Sequence, residues 1–307
     1  MTISVIIPCY NAGPYVTETL RSIAGQVYAA LEIIVVDDGS TDDSIQQINT
    51  SGVPVKLIQT DHVNAASARN VGIFAAKGDW VAFLDADDIW YPHHLQSAVQ
   101  MLSGGSDVAY RTIYDELLMD GSVRPCRGTS KGLISEKVCG KTHTDALELE
   151  LRDFPFSHSG MVYNRTRTLR AGLFDPAQIK RHDVDLWLRL VHGHTWCYDP
   201  APGLRYRLGR PGSIGENAVD AERWYLRAMQ KNHALYDMPI MKEQLQRHAK
   251  HALSLAFNDG THEEYARAKE LGWPYLPRSY RAFYRSVRPI APLARVGIRL
   301  KRALFSR

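Results

Sequence analysis

The sequence predicts an α/β fold in which a doubly wound, mostly parallel sheet is followed by a helical C-terminal extension. Apolar runs alternate with amphipathic stretches through the first hundred residues. Polar or acidic groups close three of those runs, at the strand ends where such a sheet binds ligands. Beyond residue 215 strand patterning gives way to helical spacing.

Ile3 to Pro8 opens the sheet as a continuous apolar run, the pattern of a strand buried on both faces. Leu31 to Asp37, Val55 to Gln59 and Trp80 to Asp85 repeat it. Between them Pro14 to Ala24, Asp42 to Ile48, Ala66 to Ala76 and Pro92 to Leu102 read as helices. Pro14 and Pro92 suit first-turn positions, and Ser40-Thr41-Asp42 supplies capping oxygens. Residues 104 to 160 are broken by Gly and Ser, with a helix expected around Thr144 to Arg152. Asp183 to His192 reads as a helix with Leu186, Trp187 and Leu190 spaced for burial. A polar Gly/Pro-rich segment, Pro200 to Gly215, separates it from helices at Asp220 to Tyr236, the 240s to Phe257, and Thr261 to Leu271. The expected domains are 1–215 (the catalytic sheet), 216–277 (helical) and 278–307 (a basic tail).

The 307 residues are 45% apolar and 23% charged, ordinary for a soluble globular protein. The start lacks a basic leader, no apolar run is long enough to span a bilayer, and the four cysteines have no metal-type spacing. These features lead to the expectation of a cytoplasmic protein. The net charge of +4 is uneven: nine Lys and Arg and no acid fall between Arg278 and Arg307. There Leu293, Val296, Leu300 and Leu304 recur at helical spacing beside Arg295, Arg299 and Arg302. An anionic membrane surface is the expected partner of that tail, making the protein peripheral on the inner face of the membrane; a solvated basic terminus is the alternative. No nucleic-acid partner is expected.

Two acidic clusters carry the chemistry. Asp85-Ala86-Asp87-Asp88 follows the run Trp80 to Leu84, and like charges crowded at a strand end call for a cation or for solvent. Oxygen-only ligands suit Mg²⁺ or Mn²⁺ completed by phosphates and water. Val36-Asp37-Asp38-Gly39-Ser40 offers an acceptor for a base or ribose, or else a helix cap. The first strand leads into Pro8-Cys9-Tyr10-Asn11-Ala12-Gly13, which lacks the glycine spacing of a dinucleotide oxidoreductase. It also lacks the Lys or Arg with which a sugar nucleotidyltransferase would grip a triphosphate.

Taken in order, Ser4-Val5-Ile6-Ile7-Pro8-Cys9-Tyr10-Asn11, Ile33 to Asp42, Ala68-Arg69-Asn70-Val71-Gly72 and Asp85-Ala86-Asp87-Asp88 resemble the opening of glycosyltransferase family 2, the inverting enzymes with a GT-A, Rossmann-like fold. Gly172 to Asp175 and Asp183 to Arg189 resemble its acceptor-side segment, so the likeness covers about residues 3 to 214. It implies a nucleoside diphosphate sugar donor, with uridine diphosphate the habitual carrier. The acceptor it implies is a glycan or lipid-linked saccharide hydroxyl, in bacterial surface polysaccharide or lipopolysaccharide synthesis. Pro8, Tyr10 and Asp38 would surround the base, Arg69 would hold base or phosphate, and Asp85 would touch the ribose. Asp87 would bind the Mn²⁺ or Mg²⁺, and Asp88 would contact donor sugar or cap the next helix. Inversion needs an acid to take the acceptor proton, and the aligned acid is Asp183, with Asp185 second. His182 stands where the family usually has Glu. Arg207, with Tyr206, Ser213 and Ile214, resembles the segment closing over the diphosphate. Leu208-Gly209-Arg210 departs from the histidine common after that arginine, so Arg207 or Arg210 would neutralise phosphate. His158 and Trp187 are the acceptor-side candidates, with a structural histidine the competing reading of His158. A non-catalytic sugar-nucleotide-binding scaffold, or a sugar nucleotidyltransferase, is the alternative function.

Overall fold

Strands made mostly of apolar residues need cover on both faces, and the central parallel strands obtain it from helices wound to either side. The computed structural model describes residues 1–103, 107–125, 138–141, 157–210, 218–236, 239–258 and 261–287. The chain divides into two units, Met1–Pro211 and Gly212–Arg307.

In the first unit β1 (Ile3–Cys9), β2 (Glu32–Asp37), β3 (Lys56–Gln59) and β4 (Trp80–Phe83) alternate with α1 (Gly13–Ala24), α2 (Ser44–Thr50) and α3 (Ala65–Ala75). β5 (Ile89–Trp90) and α4 (His94–Leu102) follow. β1 lies between β2 and β4, parallel to both, and β3 extends the parallel run beyond β2. Ile3, Val5 and Ile7 fall on one side of β1 with Val16 and Leu20, while Ile6 falls on the other with Ala68 and Ile73. That split is the period-2 signature of a doubly covered strand. At Gly72 an added Cβ would collide with Ile6, so glycine permits the close approach of α3 to β1.

The expected irregular region holds strands β6 (Ala109–Leu117), β7 (Val123–Pro125), β8 (Val138–Lys141) and β9 (Met161–Asn164). β9 runs antiparallel between β4 and β6, so the sheet is mixed in direction at its centre. The expected helix from Thr144 to Arg152 lies outside the described residues. After α5 (Arg165–Arg170) and α6 (His182–Val191) comes the long strand β10 (Trp196–Arg207), parallel to β6. The expected loop from Pro200 is therefore strand as far as Arg207. Register shifts at Asp199/Pro202 and Pro202/Leu204 absorb the prolines that otherwise argue against a strand. The strand order is β3-β2-β1-β4-β9-β6-β10-β5.

The second unit is helical among its described residues: α7 (Ala218–Asn232), α8 (Pro239–Asn258), α9 (His262–Gly272) and α10 (Arg278–Val287). Leu226, Met229, Leu245, Ala252, Leu253 and Ala268 are buried. Thr261 and Glu264 form a reciprocal capping box at the start of α9. No helix of the described residues is long and apolar enough to cross a membrane. The amphipathic run from Leu293 onward lies outside the described residues.

Candidate active site

The carboxyl ends of β1, β2 and β4 face one another because all three strands are parallel, and loops leaving them carry the acidic clusters. Asn11 takes a left-handed backbone (φ 47°) in the loop after β1, a conformation asparagine tolerates. Its amide nitrogen donates to Ser40 Oγ and its side-chain oxygen accepts from the Thr41 amide at 2.8 Å, tying this loop to the one after β2. Asp42 accepts from the Gly13 amide, fastening the start of α1 to the same turn. Pro8 is half-buried at the end of β1, and Tyr10 is 42% exposed.

Asp38 is buried, and its carboxylate accepts from the Val63 amide at 3.0 Å. His62 Nδ1 stands 3.1 Å from the other carboxylate oxygen. The His62 ring stacks on Tyr10, with centroids 4.1 Å apart. At the far end of Tyr10, its carbonyl and that of Asn11 accept from Arg210 Nη2, while Arg210 Nη1 donates to Asp87 Oδ2 at 2.9 Å. A continuous belt, Asp38–His62–Tyr10–Arg210–Asp87, thus runs across the three strand ends.

The acidic cluster divides in use. Asp85 pairs with the Arg69 guanidinium, whose other terminal nitrogen contacts His182 Nε2 at the first residue of α6. Arg69 is itself buried on α3. Asp88 is buried and neither caps α4 nor opens to the cleft: it accepts from Ser159 Oγ at 2.6 Å and from the Arg207 amide at 2.9 Å. Burial, then the charges of Asp87 and Asp85, hold its pKa well above the usual carboxylate range. The Asp87 pKa is raised by burial first and then by the Asp85 charge, with Arg210 working against them. Among the described residues no three His, Cys, Asp or Glu side chains gather to cage a metal ion. A hard cation held here would have the Asp87 carboxylate as its protein ligand and would take the rest from phosphate and water.

Arg207 does not share Arg210's position. Its Nε donates to the Asp87 carbonyl and its Nη2 to Glu18 at 2.9 Å, with the guanidinium over the Tyr15 ring. Arg210 is therefore the arginine on the Asp87 carboxylate. Ser213 and Ile214 lie outside the described residues.

Asp183 is half-buried in the first turn of α6, where its carboxylate accepts from the Val184 amide. Asp185 is fully buried and paired with Arg189 at 2.8 Å, which also donates to the Leu173 carbonyl. Two residues of separation turn the carboxylates to different faces. His182 is buried, and desolvation with the nearby Arg69 charge lowers its pKa to about 3, leaving a neutral ring that can accept from the guanidinium.

The two acceptor-side candidates are corrected by their surroundings. His158 is 4% exposed, packed among Phe83, Tyr163 and Phe174. Trp187 is 1% exposed, between Trp196 and Tyr163. His158 lies in the short turn leading into β9, and Trp187 lies on α6, which is buried around most of its girth; both are used for packing. The sequence reading missed His62. Its signal was position: it follows the third parallel strand by three residues, in a polar stretch at the same sheet edge.

Residues 4–166 match the family model described as glycosyl transferase family 2. An uncharacterized glycosyltransferase of Rickettsia prowazekii is 30% identical over 214 residues, 67% of this chain and 64% of that protein. The amylovoran biosynthesis glycosyltransferase AmsB of Erwinia amylovora is 30% identical over 200 residues, 62% of this chain and 64% of that protein. The chain thus spans somewhat less than two thirds of the length of these relatives. Among solved structures, S. aureus TarS 1–349 in complex with UDP-GlcNAc superposes with a TM-score of 0.69 at 19% identity, over 97% of this chain and 88% of that one. A mannosyltransferase of Pyrobaculum calidifontis in complex with GDP-Man and Mn²⁺ gives 0.60 at 19% identity, over 99% and 87%. The sheet has the GT-A, Rossmann-like architecture of these neighbours, and with more than half its length matching the family model, the chain belongs to glycosyl transferase family 2.

Proposed function

We propose that the protein is an inverting glycosyltransferase that moves a sugar from a nucleoside diphosphate, with uridine diphosphate the expected carrier, to a hydroxyl of a glycan or lipid-linked saccharide. The observation that carries this reading is the belt from Asp38 through His62, Tyr10 and Arg210 to Asp87. It sets a hydrogen-bond acceptor and a stacking ring at one end and a cation-binding carboxylate at the other, the order of a base and a diphosphate.

In this reading Tyr10, Pro8 and Asp38 receive the base, and Asp85, oriented by Arg69, meets the ribose. Asp87 would hold a divalent cation, which would neutralise charge on the departing diphosphate. Asp183 takes the proton of the acceptor hydroxyl as that oxygen bonds to the anomeric carbon and the bond from carbon to diphosphate oxygen breaks. Attack from the face opposite the leaving group inverts the centre. Asp185, sealed against Arg189, is left a structural part. The name of the AmsB relative supports a role in surface polysaccharide synthesis. Domain limits near residues 215 and 277, and an anionic membrane surface as partner of the basic tail, are parts of the same proposal.

A thermal-shift series with uridine, guanosine, thymidine and adenosine diphosphates, with and without Mn²⁺, tests it. The expected result is a shift with UDP that grows with Mn²⁺, and slow hydrolysis of the matching UDP-sugar. Indifference to every nucleoside diphosphate would overturn the reading.

A further inference from the structure

Arg210 occupies the place that a donor's cation needs. Its Nη1 lies 2.9 Å from Asp87 Oδ2, and each side chain is only 18% exposed. Its Nη2 is held by the carbonyls of Tyr10 and Asn11 at 3.1 and 2.9 Å, and its guanidinium lies over the Tyr15 ring. A divalent ion arriving at Asp87 would meet this charge at contact distance, and two cations on one carboxylate repel strongly where water is scarce.

The backbone around Arg210 is built to let it leave. Arg207 is fixed by its amide to Asp88, its Nε to the Asp87 carbonyl and its Nη2 to Glu18. Leu208 is fixed by its amide to the Leu117 carbonyl. Gly209 comes next with φ 78°, the left-handed region that glycine enters freely. Rotation there moves Arg210 while Arg207 stays in place. A guanidinium that gives up one carboxylate and two carbonyls can recover those bonds on a diphosphate, whose oxygens match its fork.

We infer that Arg210 is an exchangeable counter-ion: it holds Asp87 closed to free metal, and the donor diphosphate draws it off so that metal and nucleotide enter together. The inference rests on the donor reading above. It makes nucleotide and metal binding cooperative beyond their direct contact, since each needs Arg210 displaced.

The test is Mn²⁺ binding without nucleotide, read from the free-ion electron paramagnetic resonance signal, alongside UDP binding by calorimetry with and without Mn²⁺. The proteins are wild type, Arg210→Ala and Arg210→Gln, each checked for an unchanged circular dichroism spectrum. Both variants are expected to bind Mn²⁺ alone at least tenfold more tightly than wild type. The factor by which Mn²⁺ strengthens UDP binding is expected to shrink by a similar amount. Unchanged or weaker Mn²⁺ binding in the variants overturns the exchange and leaves the donor reading standing, as does UDP binding indifferent to Mn²⁺ throughout. A wild type that binds no UDP under any condition removes both.

Discussion

His62 lies face to face with Tyr10, their ring planes 22° apart, while its Nδ1 stands 3.1 Å from the Asp38 carboxylate. One imidazole therefore braces both the Tyr10 ring and the Asp38 carboxylate, the two groups proposed to receive the base. Stacking on an aromatic platform is worth roughly 1–3 kcal/mol per base. Tyr10→Ala and His62→Ala are each expected to weaken UDP about tenfold or more by calorimetry. The double variant should lose less than the sum, because the two rings form a single stack. Full additivity would separate His62 from the platform.

Asp183 and Asp185 should part company when each loses its charge. Asp183→Asn is expected to lower the rate of sugar transfer by about 10²–10⁴, the usual span of a general base, with donor affinity unchanged. Asp185→Asn breaks the pair with Arg189 and should instead cost stability, on the order of 2 kcal/mol, because it strands a partly buried guanidinium. Transfer kinetics set beside thermal unfolding read the two effects apart.

Gly72 should tolerate no larger residue. Its Cβ would enter the space of the Ile6 side chain between α3 and β1. Gly72→Ala is expected to destabilise the first unit by about 1–3 kcal/mol through overpacking, measured by urea unfolding. Ile6→Ala, which removes the Cγ2 methyl that the added Cβ meets, should cost less in the Gly72→Ala background than in wild type.

His94 should make stability fall in acid. It is fully buried beside Trp90 and Tyr110, neither ring nitrogen has a hydrogen-bond partner, and burial lowers its pKa to about 3. The unfolded chain binds a proton near pH 6.5 that the folded one refuses until about 3, so stability rises with pH across that window and levels off above it. One such group contributes a slope of up to about 1.4 kcal/mol per pH unit. The melting temperature of His94→Leu should depend less steeply on pH between 4 and 6.5 than that of wild type. Parallel curves would assign the acid sensitivity to other groups.

Much of this fold was legible because β1, β2 and β4 keep mostly apolar runs and α1 and α4 bury one face at helical spacing. β10 was not, because Pro200, Pro202 and Gly203 imitate a loop; only the shifted register against β6 makes room for them. β9 was hidden by its length of four residues, too few for a period to show. In the site, strand-end acids were visible as charge where charge is costly. Trp187 was legible as a core residue from its spacing with Leu186 and Leu190, and its burial bears out that spacing rather than an acceptor contact. The different surroundings of Arg207 and Arg210 depend on Glu18 for the one and on the Tyr10 and Asn11 carbonyls for the other, all far off in sequence.

The Arg69 guanidinium has further reach than its own helix. Asp85 stands in the loop after β4 and His182 begins the helix that carries Asp183, so one buried cation spans both halves of the cleft. On the proposed roles of Asp85 and Asp183 the two ligands would share this one cation as a neighbour, and loss of the arginine should weaken any coupling between binding on one side and binding on the other.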